Sequence, residues 1–521
     1  MSIKEVPSEY QVNKILSHDW PRKKIAEVAE LNPRMDKKAI PDDLEVSFIP
    51  MSAVGAGDGS IRADETRLAG KVKKGFTVFL EGDVLFAKIT PCMENGKIAV
   101  VPPLLNGYGF GSTEFHVLRP REKMIDTKYL YFFVSSQSCR KEAERHMTGA
   151  VGQRRVPTMY LKECEIPVPP LNQQKQIVAE IEKQFSRLDE GVASLKRVQA
   201  NLKRYKAAVL KAAVEGRLVE TEAELARREG RDYETGQQLL QRILAERRRK
   251  WEEAELAKMK AKGKMPKNDK WKQKYKEPAA PDTRNLPELP EGWVWATPEQ
   301  LAAPEPYSLA IGPFGSNLKV SDYTKSGVPL VFVKNIRDQS FGGTNTVYIS
   351  EEKASELKAH RIEGGDILIT KMGDPPGDVC IYPMNSPAAI ITADCIKLRL
   401  ARNFVSVPFF MYAIEAELVH KQILGITKGV AQLKISLGRF RSIGLPLPPL
   451  AEQHRIVAEV ERRLSILCET EAQVEANLQR AERLRQAILG KAFSGQLVPS
   501  DGVEDTDGQE PETDATMAFA T

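Results

Sequence analysis

The chain has 521 residues, of which 42% are hydrophobic and 28% charged, a balance typical of a protein with more than one globular domain. Its six cysteines lie far apart and form no Cys-x-x-Cys pair, which argues against a disulfide framework or a zinc site and favours a cytoplasmic protein. The net charge of +6 is uneven: residues 501–521, within a predicted disordered tail (499–521), hold seven acidic side chains, so the rest of the chain carries +13, an excess suited to phosphate contacts.

The first 166 residues divide into a short lead-in, 1–19, and a globular segment, 20–166. Strand-like runs such as Glu45–Pro50 and Asp83–Ile89 are separated by the glycines and prolines that turns require, and a helical pattern follows at Lys128–Met147. The segment is long enough to bury a core of its own. We therefore predict an α+β domain here.

A 53-residue stretch occurs twice, at Pro167–Val219 and Pro446–Val498. The copies align without a gap at an offset of 279 residues, with 21 of the 53 positions identical, which indicates an internal duplication. Each copy opens with a Pro-x-Pro-Pro entry and carries a glycine, Gly216 or Gly495, where a left-handed helix cap is expected. Between these signals each copy predicts a helix of roughly 42 residues, about 60 Å long.

The apolar residues of each predicted helix recur every seven positions, which is the spacing of a coiled-coil seam. Two like helices in one chain are expected to pair about a pseudo-twofold axis, and such a pair is antiparallel. The predicted interface, between the helices or with partner subunits, consists of Val178, Ile181, Phe185, Leu188, Leu195, Leu202, Val457, Val460, Leu464, Leu467, Val474 and Ile488.

Residues 220–292 form an insert that has no counterpart after the second copy. Its stretch 242–276 contains fourteen Lys or Arg against five acidic residues, with Trp251, Trp271 and Tyr275 among them, and a proline-rich linker follows. Two interpretations stay open. The insert is either a basic helical arm that follows the DNA backbone or a solvated helical linker, because charge runs are common on solvated faces.

A second globular segment, 293–445, parallels the first. The run EGDVLFAKI at 81–89 has a partner, GGDILITKM, at 364–372, and the run at 148–156 has a partner at 427–435, again at an offset of 279. The duplicated unit is therefore a whole half-protein, an α+β domain followed by a long helix. Between these matching runs the two domain sequences diverge.

Two copies of one scaffold with different surfaces suggest two DNA-reading domains that the helices hold apart. A helix of about 60 Å limits their separation to under two turns of B-DNA, each about 34 Å long. In each domain a glycine-containing loop offers amides and cations suited to base edges and phosphates. The predicted DNA-binding residues are Lys88, Thr148, Gln153, Arg154 and Arg155 in the first domain and Lys371, Thr427, Gln432 and Lys434 in the second.

The sequence lacks the motifs of an enzyme. No Gly-x-x-x-x-Gly-Lys-Ser/Thr loop predicts an ATP site, and the six histidines show no metal-ligand spacing. The glycine-rich run 55–59 is not followed by a helical pattern, and the Asp-Pro-Pro-Gly run 374–377 lacks the aromatic residue found in the corresponding motif of amino-methyltransferases. We expect no catalytic residue, no metal site and no cofactor bound by this chain.

The repeated motif Pro-x-Pro-Pro-Leu-x-x-Gln-x-x-Ile-Val-Ala-Glu, followed by a long helix and Ala-x-x-Gly-x-Leu-Val, resembles the specificity subunit of type I restriction–modification enzymes. A Thr-x-x-Val-x-Gln segment upstream of each copy fits the same family. The resemblance covers 20–498. The insert 220–292 and the acidic tail depart from the simplest family layout.

The resemblance implies two target-recognition domains that each read one part of a split, asymmetric double-stranded DNA sequence, with the helices as the spacer. It also implies two methyltransferase subunits, which bring S-adenosylmethionine to adenine N6, and restriction subunits that use ATP and Mg. No membrane partner is implied, and this subunit itself is expected to be non-catalytic.

Two other functions stay open from the residues alone. A coiled-coil scaffold that binds only proteins predicts no sequence-selective DNA binding when partner subunits are supplied. A self-contained methyltransferase or nuclease predicts S-adenosylmethionine binding by the isolated chain, and the missing motifs disfavour it.

Overall fold

The computed structural model describes residues 20–498, except 151, 264, 265, 267, 338, 344, 345, 374 and 429–432. The predicted lead-in 1–19, the acidic tail 499–521 and Gln432 therefore lie outside the described residues. The chain forms two compact units: unit 1 comprises Met1–Lys196 and Glu475–Thr521, and unit 2 comprises Arg197–Val474. None of the described helices has the length and apolar character of a membrane span.

The first globular domain lies in unit 1, and its described residues form ten strands and five short α-helices. The strands are β1 (Arg22–Lys24), β2 (Ala29–Leu31), β3 (Glu45–Ile49), β4 (Thr66–Leu68), β5 (Thr77–Phe79), β6 (Val84–Ala87), β7 (Ile98–Val100), β8 (Gly109–Gly111), β9 (Phe115–Pro120) and β10 (Glu165–Pro167). The helices are α1 (Ile25–Val28), α2 (Ala69–Val72), α3 (Thr127–Ser135), α4 (Gln137–Arg145) and α5 (Thr158–Glu163). The helical pattern predicted over 128–147 is thus two helices, because Ser136 is extended and caps the second of them.

Two four-stranded sheets build this domain, in the orders β4-β3-β8-β5 and β2-β9-β6-β7. All their pairings are antiparallel except that of β3 with β8. A buried apolar cluster that includes Ile49, Phe79, Leu85 and Phe115 draws residues from both sheets. The prediction of an α+β domain is confirmed.

A 44-residue helix, α6 (Leu171–Val214), follows this domain, and the insert and the second globular domain come next, in unit 2. The insert supplies α7 (Glu222–Glu229) and α8 (Gly236–Ala261), and the second domain supplies α9 (Pro298–Leu301), α10 (Glu351–Glu356), α11 (Val407–Glu415), α12 (Glu417–Gly425) and α13 (Leu437–Phe440). A second 44-residue helix, α14 (Leu450–Phe493), ends the described chain.

The second domain contains sixteen described strands. They are β11 (Val294–Ala296), β12 (Leu309–Ile311), β13 (Tyr323–Thr324), β14 (Val328–Val331), β15 (Ile336–Arg337), β16 (Ser340–Phe341), β17 (Val347–Ile349), β18 (Arg361–Ile362), β19 (Ile367–Thr370), β20 (Met372–Gly373), β21 (Val379–Ile381), β22 (Ala389–Ile391), β23 (Cys395–Leu398), β24 (Thr427–Lys428), β25 (Leu433–Ile435) and β26 (Leu445–Leu447).

Its sheets repeat the topology of the first domain. The sheet β12-β23-β19-β21 matches β2-β9-β6-β7, and the parallel pair β14–β22 within the sheet β13-β17-β14-β22-β18 matches the pair β3–β8. A buried acid begins the matching central strands: Asp83 accepts two hydrogen bonds from Arg119, both 2.8 Å, and Asp366 accepts bonds of 2.9 and 2.8 Å from Arg399. The Gly-Asp pair shared by the runs at 81–89 and 364–372 therefore has a structural role in both domains.

The two 44-residue helices end in the same way. Gly216 and Gly495 have φ angles of 65° and 78°, in the left-handed region that glycine tolerates. The next amide in each case bonds back into the last turn, Arg217 N to Ala212 O at 2.9 Å and Gln496 N to Lys491 O at 2.8 Å. These are Schellman caps, as the repeated glycine predicted.

Each unit contains one half of each long helix, and the halves run antiparallel. In unit 1, Arg485 of α14 lies over the ring of Phe185 of α6, 4.6 Å from its centroid, and also pairs with Asp189. Ile181 of α6 belongs to the same apolar cluster as Leu489 of α14. In the corresponding cluster of unit 2, the members include Val209 and Leu210 of α6 and Ile456 and Val460 of α14.

The predicted seam residues are buried to different degrees. Val178, Ile181, Val460, Leu467 and Val474 are buried. The others are half-buried in this chain, namely Phe185, Leu188, Leu195, Leu202, Val457, Leu464 and Ile488.

The glutamine of the repeated motif joins each long helix to its domain. Gln174 is fully buried; its Oε1 accepts from the amide of Asp126 at 2.8 Å and its Nε2 donates to Pro169 O at 2.8 Å. Gln453 makes the equivalent bonds, from the amide of Ser406 at 2.9 Å and to Pro448 O at 2.8 Å. Both amides lie at the start of a domain helix. Each glutamine side chain therefore pairs with an amide at the start of that helix and with a carbonyl of the proline entry.

The insert is partly a component of the unit 2 core. Leu239, Leu240 and Ile243 of α8 are buried in the same cluster as the second domain's strands. Beyond them exposed and half-buried residues alternate along the helix, and Trp271 stacks on Trp251 at 6.1 Å, which folds the lysine-rich segment back against α8. Five exposed lysines have no carboxylate partner within the described part of the chain, namely Lys260, Lys262, Lys270, Lys274 and Lys276. Whether this end of the insert contacts DNA or only solvent stays a prediction.

Candidate nucleic-acid interface

Five of the predicted contact residues are brought together in the first domain by a short hairpin, residues 148–156. Thr148 N bonds to Arg155 O at 3.0 Å, and Arg155 N bonds to Thr148 O at 2.8 Å. The hairpin adds to the end of strand β6, because Val156 N donates to Lys88 O at 2.9 Å and Thr90 N donates to Arg154 O at 3.0 Å. Lys88, Thr148, Gln153, Arg154 and Arg155 therefore share one edge of the domain.

The glycines of this first hairpin are required by its backbone. Gly149 has a φ of 122° and Gly152 a φ of 82°. A Cβ atom on Gly149 would also lie 3.0 Å from the carbonyl oxygen of Gln153 on the opposite strand. Any other residue at these positions would be strained, so the glycines set the close approach of the two strands.

Arg155 is held by a carboxylate that the sequence analysis did not identify. Its Nε and Nη2 donate to the two carboxylate oxygens of Glu114, each at 2.9 Å, and its Nη1 donates to Gln153 O at 3.0 Å. The hydrogen bonds from Arg155 lower the pKa of the Glu114 carboxyl. Glu114 stands 41 residues earlier in the chain and just before β9, and no spacing rule links it to the hairpin.

The other polar residues of the first hairpin are less constrained. Arg154 approaches Glu144 only to 4.0 Å and keeps 40% of its side chain exposed. Gln153 and Thr148 are exposed, and their side chains form no hydrogen bond to another described residue of the hairpin. The hairpin thus offers one fixed cation, one loosely held cation and a free amide.

A buried histidine supports the base of the first hairpin. The ring of His116 bonds through Nε2 to Val156 O at 2.8 Å and through Nδ1 to the side-chain amide of Asn32 at 3.2 Å. Burial lowers the pKa of His116, so it is neutral near pH 7. Within the described ranges, no cluster of three or more His, Cys, Asp or Glu side chains is placed to hold a metal ion.

The second hairpin, residues 427–435, occupies the matching place in the second domain. Strands β24 and β25 pair through Thr427 with Ile435, and Ile435 N donates to Lys371 O at 3.0 Å, the counterpart of the bond from Val156 to Lys88. Lys434, opposite Met372 of β20, is exposed. Thr427, Lys371 and Lys434 are therefore brought together, whereas Gln432 and the hairpin tip lie outside the described residues.

The cations of the two hairpins are held differently. Lys371 Nζ donates to Ala393 O at 3.2 Å, while Lys434 has no carboxylate partner among the described residues. The residue that takes the place of Glu114 is Asp394, since Lys371 N donates to its carbonyl oxygen as Lys88 N does to that of Glu114. The fixed Arg–Glu pair is thus a feature of the first hairpin.

Comparison with known proteins identifies this architecture. The DNA specificity domain of type I restriction modification systems matches residues 17–203 and 322–480. The chain belongs to that family. The specificity subunits of the type I restriction enzymes EcoAI and EcoEI from Escherichia coli are 28% and 25% identical to it, over 91% and 92% of this chain and 83% of each relative.

Solved structures agree on the fold. A chain from a structural study of complex assembly and conformational transition in a type I R-M system superimposes with a TM-score of 0.67 at 19% identity, covering 92% of this chain and 98% of the other. The HsdS subunit from Thermoanaerobacter tengcongensis has a TM-score of 0.51 at 20% identity with the same coverage. The prediction of a type I specificity subunit is confirmed: such subunits are the non-catalytic DNA-recognition components of type I restriction–modification enzymes.

Proposed function

We propose that this specificity subunit reads a two-part, asymmetric DNA target, with each hairpin contacting one part. The observation that carries the proposal is the shared attachment of the two hairpins: each extends the end of the central strand of its domain through the same backbone bond. The scaffold is duplicated while the side chains differ. Two unlike contact surfaces on like supports suit two different half-sites.

The side chains of the first hairpin fit both kinds of DNA contact. The exposed amide of Gln153 suits an adenine edge in the major groove, and Arg154 and Lys88 suit phosphates. In the second hairpin Lys434 is an exposed cation and Lys371 is anchored beside it. The described residues of the second hairpin therefore favour cationic contacts, and we expect this hairpin to read a different half-site.

The long helices are the element that we expect to set the unread spacer. Each is one continuous helix of 44 residues, about 66 Å at 1.5 Å per residue, and each contributes to both units. Seven residues inserted at equivalent positions of α6 and α14 preserve the heptad register and add about 10 Å. The expected result is a methylated target with a longer unread spacer, and an unchanged spacer contradicts the assignment.

We further propose that two methyltransferase subunits, carrying S-adenosylmethionine, and restriction subunits, which use ATP and Mg, assemble on this chain. The helices keep large apolar side chains exposed, which partner helices would cover. These residues are Val198, Tyr205, Ile466 and Leu484, between 40% and 53% exposed. Mass measurement of the assembled complex tests the number of each subunit.

Base-resolution mapping of methylated adenines tests the two-part readout. The complex is assembled with its methyltransferase subunits, and the double variant Arg154→Ala, Arg155→Ala is compared with the wild type. We expect the double variant to methylate more slowly, with a loss that depends on the sequence of one half-site. Lys434→Ala should give a loss that depends on the sequence of the other half-site. The matched control is Arg121→Ala, Arg145→Ala, which removes two exposed arginines of the same domain outside the hairpin. Equal rates in all variants would show that the hairpins are not the contact surface.

A further inference from the structure

Both the backbone and the side chain of Arg155 in the first hairpin are held in place. Arg155 is fixed twice: its backbone pairs with Thr148 in the hairpin and with Ile89 at the end of the central strand. Its guanidinium is fixed by both oxygens of Glu114 and by Gln153 O. Even so, 42% of the side chain stays exposed. Arg155 therefore differs from an ordinary surface arginine, because its guanidinium is held in one orientation while it stays accessible on the surface that we propose contacts DNA.

The hydrogen bonds leave a defined set of donors. A guanidinium has five N–H groups. Glu114 takes one from Nε and one from Nη2, and Gln153 takes one from Nη1. Two remain, one on each terminal nitrogen. Two donors on a rigid fork match two adjacent acceptors, and in the DNA major groove guanine presents such a pair, O6 and N7.

We infer that Arg155 reads a guanine in the half-site of the first domain, and that Glu114 is the positioning residue that aims it. The inference rests on the proposed function, because it requires the first hairpin to face DNA. Holding the side chain before DNA arrives removes the cost of ordering it on binding. The carboxylate also blocks the Nε edge, so the guanidinium presents its terminal nitrogens rather than its side.

The neighbouring residues supply the internal comparison. Arg154 is the preceding residue of the same hairpin. Its guanidinium lies 4.0 Å from the Glu144 carboxylate, so its side chain is free to meet a phosphate oxygen at several positions. In the second hairpin the matching residue is Lys434, which lacks both the fork and a carboxylate partner in the described structure. Among the described residues of the two hairpins, this geometry is found at Arg155.

The test is a base scan of the first half-site with the assembled methyltransferase complex. Each position is replaced in turn by the other three bases, and guanine is also replaced by 7-deazaguanine, which removes N7. For the wild type we expect one guanine whose replacement lowers affinity about 10- to 100-fold. In Arg155→Gln and in Glu114→Gln, discrimination at that position should fall to within about threefold, while the other positions and the second half-site keep theirs.

Arg154→Gln is the matched control, because it removes a charge one residue away. It should weaken binding to every sequence alike, reduce the salt slope of log K by about 1, and keep the guanine preference. Two measurements report whether each variant is folded. One is its thermal unfolding, and the other is its base discrimination at the second half-site within the same complex. A general loss of stability cannot abolish preference at one base pair and spare the rest.

Several results would overturn the inference. The first is a half-site for the first domain that has no guanine on either strand. The second is full guanine discrimination in Arg155→Gln, and the third is that Arg155→Gln loses discrimination at a base other than guanine. Full discrimination in Glu114→Gln would remove the positioning role alone. If Arg154→Gln and Arg155→Gln both bind and methylate as the wild type does, the proposed function of the hairpin fails. If Arg155→Gln instead loses affinity but keeps the guanine preference, the hairpin contacts DNA and only the base-reading role of Arg155 fails.

Discussion

The two DNA-recognition domains are most alike where they join the long helices and least alike where their hairpins end. Gln174 and Gln453 make the same buried bonds between a proline entry and a domain helix. At the hairpins, by contrast, Arg155 is clamped by Glu114 while Lys434 is unpaired in the described structure. Contacts that fix the position of a domain have been kept in both copies, and contacts that face outward have diverged. Target choice can therefore change without disturbing the support.

The largest expected effect on the free energy of unfolding comes from substituting the buried aspartate that both domains share. Asp366 is fully buried and is bonded by Arg399 and, at 3.0 Å, by Arg402. Asp366→Asn should lower the free energy of unfolding of unit 2 by about 3 kcal/mol, the lower end for a broken buried pair, because both arginines are partly exposed. Urea unfolding followed by tryptophan fluorescence measures it, since four of the five tryptophans lie in unit 2.

Asp83→Asn is the matched change in the first domain, where one arginine of the described residues, Arg119, binds the acid. We expect a smaller loss, confined to unit 1 and measured by hydrogen exchange in the strands next to Asp83. Equal exchange in both units after either substitution would show that the two domains do not unfold independently.

The next effect uses a difference between the two repeat helices. Glu452 is buried and accepts bonds from Glu222 N at 2.9 Å and Trp293 Nε1 at 3.0 Å, whereas the first copy has the half-buried Gln173 at this position. Burial raises the pKa of Glu452 to about 7. A raised carboxyl pKa stabilises the fold below the unfolded value near 4.3, and this contribution is lost as the pH rises through 7.

Glu452→Gln should therefore remove a pH dependence rather than add one. Between pH 4.5 and 8 the wild type should lose up to about 3 kcal/mol in unit 2 relative to the variant. Urea denaturation of both proteins at several pH values, followed by tryptophan fluorescence, gives the difference. Gln173→Glu, at a more exposed position, should show no comparable loss. A variant that is equally pH-dependent would mean that Glu452 is not the titrating group.

The sequence predicted the long helices well because local signals set both ends. The proline entries force an extended chain before Leu171 and Leu450, and Gly216 and Gly495 supply the positive φ angles that end the helices. The two loops at 148–156 and 427–435 were predicted as contact segments because Thr148 and Gln153 recur at the repeat offset as Thr427 and Gln432, although the glycines do not. Self-similarity within one chain supplied the comparison on which these predictions depended.

The partners of those residues were not predictable. Glu114 meets Arg155 only because two strands 41 residues apart are brought into one sheet, and that register depends on the packing of the whole domain. The docking of Leu239 and Ile243 of α8 into the core was hidden in the same way, since a basic helix with a short apolar start resembles a solvated linker. Long-range pairing carries no signature in spacing or composition.

A moderate effect is expected from the shared glutamines, and it separates the two domains. Gln174→Ala leaves the buried amide of Asp126 and the carbonyl of Pro169 without their partner, at a cost of about 2 kcal/mol. Hydrogen exchange should rise at the start of α3 and not in α11. Gln453→Ala should give the reverse, with faster exchange at Ser406 and the start of α11. A response in the same helix for both variants would contradict the duplicated attachment.

The smallest effect distinguishes the two halves of the helix pair. Arg485 lies 4.6 Å from the Phe185 ring centroid and pairs with Asp189, whereas the offset of 279 residues places Lys206 and Leu464 at the equivalent positions in unit 2. A cation over an aromatic face adds about 1 kcal/mol where it is partly desolvated, and Arg485 is 18% exposed. Arg485→Gln should therefore cost about 1 kcal/mol in unit 1.

Lys206→Gln removes the same charge without an aromatic ring beneath it, and its cost in unit 2 should stay within roughly 0.5 kcal/mol. Hydrogen exchange in α6, before and after residue 196, measures both variants in one experiment. The direct control is Phe185→Leu, which copies the second unit's residue into the first: it should bring the cost of Arg485→Gln down toward that of Lys206→Gln. If that cost is unchanged in the Phe185→Leu background, Arg485 acts through Asp189 alone, and the two halves of the pair differ by an ion pair rather than by a ring.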